Sequence, residues 1–151
     1  MAARGVRDVL AGRGIPTALS LSTSYQLPFD NDQFDVVLSF YSLEHLRPIR
    51  LYLAQISRVL RPGGIFAGAI PTEGGLAWGV GRFLTSRRYV RQRIAVDLNK
   101  LVCWEHQNFA DAILSELHRT FQSVSTTFWP LGVPIIDLNL IADFLCVKRP
   151  S

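Results

Sequence analysis

The chain has 151 residues, of which 48% are hydrophobic and 19% charged, and its net charge is +4. This balance predicts a single folded domain with a sizeable core and excludes an intrinsically disordered chain. No apolar run approaches the ~18 residues of a membrane-spanning helix, and the glycines and Asp8 near the N-terminus do not suit a secretory signal. The two cysteines, Cys103 and Cys146, are too few for a disulfide framework, so we expect a reducing, cytoplasmic location.

The positive charge is concentrated in one segment. Five arginines fall within twelve residues that contain no acidic residue: Arg82, Arg87, Arg88, Arg91 and Arg93. Subtracting these five charges from +4 leaves −1 for the remaining residues. Such a segment suits an anionic or partly apolar acceptor, a membrane surface or RNA phosphates. A solvated basic helix that covers a hydrophobic edge is the alternative interpretation.

The N-terminal residues predict a helix and then a strand. Residues 1–14 suit a short helix that Gly12 and Gly14 close, and Thr17 to Leu21 suit a strand that begins after Pro16. The polar segment 22–26 and an acidic turn at 30–32 then lead into the next element.

The middle of the chain predicts a strand–helix–strand unit. Phe34 to Phe40 is a short apolar run bounded by turn signals, which is typical of an interior strand buried on both faces. Pro48 suits a first helical position, and Arg58 should face water, while the apolar stripe comprises Ile49, Leu53, Ile56 and Leu60. The residues Pro62-Gly63-Gly64 should end this helix before a strand at 65–70, which should run parallel to the first.

The segment 71–95 interrupts this alternation and resembles a lid. Its first half is rich in glycine and should be pliable, and its second half is basic. An insertion of this kind after the carboxyl end of a strand is typical of a lid or a substrate clamp. The candidate substrate contacts are Trp78, Arg82, Arg87 and Arg88.

The C-terminal third predicts a helix and two strands. Asn108 and Asp111 resemble a capping pair, and the apolar stripe that follows comprises Phe109, Ile113, Leu117 and Phe121. Strands are expected at 124–129 and 141–147, and prolines keep the connection between them out of the sheet.

Residues 27–64 carry a resemblance to a known family through the run LPFDNDQFDVVLSFYSLEHLRPIRLYLAQISRVLRPGG. The order and spacing resemble the middle of a class I S-adenosylmethionine-dependent methyltransferase of the type 11 group. The resemblance implies an α/β Rossmann-like three-layer sandwich with a mostly parallel sheet and a C-terminal antiparallel hairpin, in which the last strand inserts beside the fifth. It also implies S-adenosylmethionine as cofactor and methyl transfer to a small-molecule or lipid-like acceptor.

The chain departs from that family at its N-terminus. The family's glycine-rich cofactor loop and its ribose-binding acidic residue come before the third strand, and this sequence contains neither. We therefore expect residues 1–151 to be a single partial methyltransferase domain, truncated at its N-terminus, with 71–95 as a basic insertion. A non-catalytic interaction module with the same fold is the alternative. An RNA methyltransferase is disfavoured because the aromatic and basic residues lie in separate blocks.

The resemblance also implies where the cofactor binds. In the polar loop, Thr23 stands where the family has an adenine-binding aspartate, and Ser24 follows it. Ser39, Phe40 and Tyr41 end the central strand, where ligands of open α/β sheets bind. An ordinary polar turn and an aromatic plug of the sheet are the alternatives for these two groups.

The catalytic and metal-binding candidates are few. Glu44 and His45 could act together as a general base, although His45 could instead pack beneath the following helix. Cys103 and His106 have a spacing that suits half a metal site, but no second pair of ligands accompanies them, so we expect no metal.

Overall fold

A four-stranded sheet with the strand order β1-β2-β4-β3 organises the chain. The computed structural model describes residues 8–18, 20, 22, 24–72, 76–84 and 108–150. The strands are β1 (Phe34–Phe40), β2 (Leu60–Pro71), β3 (Ser123–Trp129) and β4 (Ile141–Val147). The helices are α1 (Ile49–Val59), α2 (Leu76–Leu84) and α3 (Ala110–Thr120), with 3-10 turns at Leu43–His45 and Ile136–Leu138.

The predicted strand–helix–strand unit is confirmed, with shifted boundaries. β1 pairs with β2 in parallel, with Val37 opposite Phe66. The helix α1 ends at Val59 because Leu60 is already extended, so Pro62-Gly63-Gly64 lie within β2 and do not terminate the helix. Pro48 is the N-cap of α1 and not its first residue. The pairing is irregular at its start, since the register shifts between Phe34 and Val36.

The C-terminal hairpin has the predicted arrangement. β4 is antiparallel to β2 on one side and to β3 on the other, with Phe144 opposite both Gly68 and Thr126. The last strand therefore inserts between the two that precede it, as the resemblance implied. β3 begins one residue earlier than predicted, at Ser123.

The core lies between one face of the sheet and the helices α1 and α3. Leu53 on α1, and Ile113 and Leu117 on α3, are fully buried in one cluster with Phe66 of β2. The ring of Phe66 packs against those of Phe121 and Phe144, with centroid distances of 5.6 and 5.0 Å. Side chains that alternate along each strand supply this face.

The prediction that Phe34–Phe40 is an interior strand buried on both faces is wrong. β1 is at the end of the strand order, and Val36, Leu38 and Phe40 are 50%, 62% and 61% exposed. The reason is that α1 and α3 cover only the opposite face, to which Val37 belongs. An apolar composition on both faces therefore indicated a doubly covered strand, but within the described residues only one face and one edge are covered.

The N-terminal residues and the start of α3 also differ from the predictions. Residues 8–12 are helical and Gly14 closes that stretch with φ 73°, but the described residues 17, 18 and 20 are not in a strand. The helix α3 has Phe109 as its N-cap without a side-chain capping bond, and Phe109 is 48% exposed. The amide of Asn108 instead donates to the carbonyls of Leu43 and Leu46, at 3.1 and 2.7 Å.

Candidate active site at the carboxyl edge of the sheet

Three strands end at the same edge of the sheet. β1 and β2 are parallel, and β3 runs in the same direction because both β2 and β3 are antiparallel to β4. Phe40, Pro71 and Trp129 therefore end their strands at one edge. Ligands of open α/β sheets bind outside the carboxyl ends of strands, which makes this edge the candidate site.

The end of β1 presents two aromatic side chains beside a pair of hydroxyls. Phe40 is 61% and Tyr41 50% exposed, and the Oγ atoms of Ser39 and Ser42 lie 2.7 Å apart. Tyr41 has φ 50°, a left-handed conformation that is uncommon for a residue other than glycine, and its N–H donates to the carbonyl of Ala69 at 3.0 Å. The structure thus brings Ser39, Phe40 and Tyr41 together at the edge, with the aromatic side chains accessible.

Close packing of β2 against β1 positions this strand end. A Cβ atom added to Gly68 would lie 1.8 Å from the carbonyl oxygen of Ser39. Only glycine permits this approach, since real Cβ contacts of that length do not occur. The sequence analysis did not single out Gly68, although an isolated glycine inside a strand is a signal of close backbone approach.

Glu44 and His45 follow in the 3-10 turn, with opposite exposure. Glu44 is 3% exposed and its Oε2 has no hydrogen-bond partner among the described residues, whereas the side chain of His45 is 48% exposed. The Nε2 atom of His45 lies 4.0 Å from Oε1 of Glu44. The alternative in which His45 packs beneath the helix is therefore wrong, and the carboxylate is the buried member.

The loop that precedes β1 is held by α1. The guanidinium of Arg58 donates to the carbonyls of Leu27 and Phe29 and to Oδ1 of Asn31, all at 2.8–2.9 Å. It does not simply face water, as the periodicity of α1 had suggested. Lys148 adds a 2.6 Å ion pair with Asp32. These contacts of Arg58 and Lys148, hereafter the loop clamp, lie at the amino end of β1, opposite the end that carries Tyr41.

The remaining cofactor candidates are not brought to this edge by any described contact. The hydrogen bonds of Ser24 among the described residues join it to its near neighbours Ser22 and Gln26. Thr23 lies outside the described residues. The assignment of Thr23 and Ser24 to the cofactor stays a prediction.

The candidate acceptor side is built on α2. The indole Nε1 of Trp78 donates to the carbonyl of Leu140 at 2.9 Å, and α2 packs against the turn Ile136–Leu138. Residues 76–84, predicted to be pliable, are helical. Arg87, Arg88 and the side chain of Arg82 lie outside the described residues, so their assignment to substrate binding stays a prediction.

The loop between β3 and β4 (residues 130–140, hereafter the β3–β4 loop) is folded around Asn139. This fully buried side chain accepts from the N–H of Leu131 at 3.0 Å and donates to the carbonyls of Val133 and Ile135 at 2.9 and 2.8 Å. The hydroxyl of the buried Thr72 donates to the carbonyl of Asn139. The sequence analysis missed Asn139, because its partners depend on how the loop folds back and the run around it, which also contains Asp137, gives no local signal.

Two other features bear on the chemistry. Burial raises the pKa of the Cys146 thiol from its ordinary value of 9.0 to about 12, so this cysteine is a poor nucleophile. Among the described residues there is no cluster of three or more side chains that could hold a metal ion, and Cys103 and His106 lie outside that part. No helix in the described ranges is long and apolar enough to cross a membrane.

Part of the chain that forms this edge is similar in sequence to known proteins. A family model described as a methyltransferase domain matches residues 5–68, which include β1, α1 and most of β2. The sequence of this part of the chain is similar to that of methyltransferase domains. The methyltransferase-like segment therefore includes Ser39, Phe40, Tyr41 and the close approach at Gly68.

Curated relatives share this segment. The ubiquinone biosynthesis O-methyltransferase of Paramagnetospirillum magneticum is 38% identical over 65 residues, which are 43% of this chain and 26% of the relative. The phthiotriol/phenolphthiotriol dimycocerosates methyltransferase of Mycobacterium tuberculosis is 41% identical over 69 residues, which are 44% of this chain and 26% of the relative. The matched part thus spans about a quarter of each methyltransferase.

Solved structures agree in fold over most of the chain. A methyltransferase from Thermotoga maritima superimposes with a TM-score of 0.58 at 14% identity, covering 94% of this chain and 68% of its own. A methyltransferase from Methanosarcina mazei gives 0.52 at 16% identity, with coverages of 87% and 67%. The [4+2]-cyclase SpnF gives 0.58 at 15% identity, with coverages of 96% and 61%. The predicted Rossmann-like fold of the methyltransferases is confirmed.

Proposed function

We propose that the protein transfers a methyl group from S-adenosylmethionine to a lipid-like or small-molecule acceptor at the carboxyl edge of the sheet. The observation that carries this proposal is the match of residues 5–68 to a methyltransferase domain, because that segment ends its first strand at the exposed pair Phe40 and Tyr41. A cytoplasmic location belongs to the same proposal.

The residues at this edge fit one side of the cofactor. S-adenosylmethionine supplies an electrophilic methyl group on a positively charged sulfonium. The exposed aromatic faces of Phe40 and Tyr41 can attract such a cation, and the hydroxyls of Ser39 and Ser42 can orient polar groups next to it. The glycine-rich turn and the ribose-binding carboxylate expected from the resemblance are absent from the sequence.

In this proposal Glu44 and His45 handle the proton of the acceptor. The half-exposed imidazole of His45 would accept it, and the buried carboxylate of Glu44 would orient that imidazole. Methyl transfer depends mainly on in-line alignment of nucleophile and methyl group, so the base is an aid.

The acceptor side is α2 with the β3–β4 loop. Two relatives are named for ubiquinone biosynthesis and for phthiotriol/phenolphthiotriol dimycocerosates. The exposed apolar side chains of this side, among them Leu76 and Leu131, support an acceptor that is at least partly apolar.

An NMR titration of the labelled chain with S-adenosylhomocysteine tests the proposal. We expect binding no tighter than about millimolar, since each missing charged hydrogen bond removes about 1.5–3 kcal/mol. The amide shifts should concentrate at Phe40, Tyr41 and Ser42 and should decrease in Tyr41→Ala. Gln122→Ala is the control, because Gln122 is exposed just before β3 begins, at the opposite edge of the sheet. Shifts confined to other parts of the chain, or no shifts, would contradict the proposal.

A non-catalytic interaction module is a second candidate, and one specific observation favours it. Val36 and Leu38 are exposed on the uncovered face of β1, which suits a partner protein. The [4+2]-cyclase with the same fold illustrates that the fold is not tied to methyl transfer. Amide shifts at Phe40, Tyr41 and Ser42 on addition of S-adenosylhomocysteine would favour the enzyme over this module, which requires no cofactor.

A further inference from the structure

The side of β1 that faces away from β2 (hereafter the free side) has no strand beside it among the described residues. β1 is at the end of the strand order, and its only neighbour in that order is β2. The carbonyl oxygen of Ser39 and the N–H of Tyr41 both point at β2. Backbone groups alternate in direction along a strand, so the even-numbered residues direct their N–H and C=O groups to the free side: Phe34, Val36, Leu38 and Phe40.

Nothing in the sequence of β1 protects the free side from pairing. Val36, Leu38 and Phe40 have their side chains on the uncovered face and are each at least half exposed. Edge strands of natural proteins commonly carry lysine or proline, which prevents pairing with another chain. β1 contains neither, and Asp35, its only charged residue, forms an ion pair with Arg61 at 2.6 Å. The free side is therefore able to accept another extended strand.

The sequence of β1 is complementary to itself when two copies run antiparallel. With Val37 on the two-fold axis, the opposite residues are Val36 and the partner's Leu38, Phe34 and the partner's Phe40, and Asp35 and the partner's Ser39. The first two pairs direct their backbone groups towards each other, so each is a hydrogen-bonded pair, and they join apolar side chains on one face. The carboxylate of Asp35 then faces a hydroxyl, whereas parallel strands in register would place it opposite the partner's Asp35.

We propose that β1 pairs with β1 of a second copy of the chain, antiparallel and centred on Val37, so that the two sheets become continuous in a two-fold dimer. Phe40 ends β1 at the candidate site, so this pairing brings the partner's Phe34 beside it. The statement about the site rests on the proposed function, whereas the pairing itself requires neither cofactor nor catalysis.

Sedimentation equilibrium of the full chain measures the dimer. Val36→Lys with Leu38→Lys places lysines opposite lysines and should weaken the pairing. Val36→Lys with Leu38→Glu is the matched control, because it changes the same exposed positions and places each lysine opposite a glutamate. We expect the dissociation constant of the first variant to exceed that of the second by about tenfold or more. Circular dichroism should show that both variants keep the fold of the parent.

A cysteine on the two-fold axis tests the register. Val37 directs its backbone groups to β2, so the two copies of this residue form a non-hydrogen-bonded pair, whose Cα atoms lie about 4.5 Å apart, within reach of a disulfide. In a Cys103→Ser background, in which Cys146 is buried, Val37→Cys should form a covalent dimer on mild oxidation. Val36→Cys should form much less, because Val36 lies opposite the partner's Leu38.

Four outcomes would overturn the proposal. They are a chain that stays monomeric at NMR concentrations, a dimer that persists equally in both charge variants, and cross-linking no stronger at position 37 than at position 36. The fourth is a monomer whose Leu38 and Phe40 amides are protected from hydrogen exchange, which would show that another segment of this chain covers the free side. The titration with S-adenosylhomocysteine remains a separate readout of the proposed function, and its failure would leave the dimer unaffected.

Discussion

Asn139 shows how one buried amide shapes a surface. The three described hydrogen bonds of its side chain go to the backbone of the β3–β4 loop, and this side chain is fully buried. Replacing it by alanine would leave the N–H of Leu131 without a described partner, whereas the carbonyls of Val133 and Ile135 would still accept from the N–H groups of Ile135 and Leu138. The conformation of the loop, and with it the outward position of Leu131 and Val133, therefore depends on this residue.

We expect Asn139→Ala to lower the free energy of unfolding by about 1–3 kcal/mol, because the N–H of Leu131 loses its partner and a fully buried side chain is removed. Urea unfolding followed by circular dichroism measures this. Gln122→Ala, at an exposed position, should change stability by no more than about 0.5 kcal/mol. Equal stability of the two variants would show that water replaces the amide.

Gly68 offers a sharper residue-level prediction. Gly68→Ala should destabilise the protein by about 3 kcal/mol or more, since the added methyl group overlaps the Ser39 carbonyl and would separate β1 from β2. Gly79→Ala is the control, because a Cβ there meets nothing within 4 Å and alanine favours the helix α2. A thermal melt that shows both variants near the parent would contradict the packing described for β1.

At the scale of elements, the contact between α1 and the loop before β1 is polar. Arg58→Met should lower the free energy of unfolding by about 1–3 kcal/mol and speed hydrogen exchange at Asn31, because charged hydrogen bonds to the loop are lost. Arg61→Met is matched, since the ion pair of Arg61 with Asp35 is largely exposed and should contribute less than about 1 kcal/mol. Similar exchange at Asn31 in both variants would rule out the loop clamp.

The buried thiol in β4 predicts a pH dependence. Burial raises the pKa of Cys146 to about 12, so the folded protein keeps the proton that an unfolded chain releases above pH 9.0. Stability from this group is full below pH 9.0 and falls as the pH rises towards 12, by at most about 1.4 kcal/mol per pH unit. Chemical denaturation across this range should show a steeper decline for the parent than for Cys146→Ala. Parallel curves would contradict the assignment.

The sequence predicted the positions of the helices and strands better than which of their faces are buried. The periodicities of β1, α1, α3 and β4 correspond to local interactions along the chain, so these elements appear close to the predicted residues. The error at β1 has a different origin. The apolar residues of β1 predicted that other elements cover both of its faces. In the described residues helices cover only one face, so Leu38 on the other face is exposed.

Long-range contacts explain what the sequence could not predict about the site. The grouping of Ser39, Phe40 and Tyr41 followed from their position at a strand end. Glu44 is buried where Asn108, more than sixty residues later in the chain, packs against it and donates its N–H to the Glu44 carbonyl at 3.2 Å. The role of Asn139 likewise requires the loop to fold back on itself, which no local pattern encodes.

At the scale of the whole molecule, the outer border of β1 has a consequence for handling the protein. Its outward backbone N–H and C=O groups have no neighbouring strand within the described residues, and the exposed face of β1 is apolar. Such a border is a ready template for another extended segment. Concentrated samples should therefore associate through β1, with the strand of one molecule pairing with that of the next. Leu38→Lys should reduce this association, which light scattering measures.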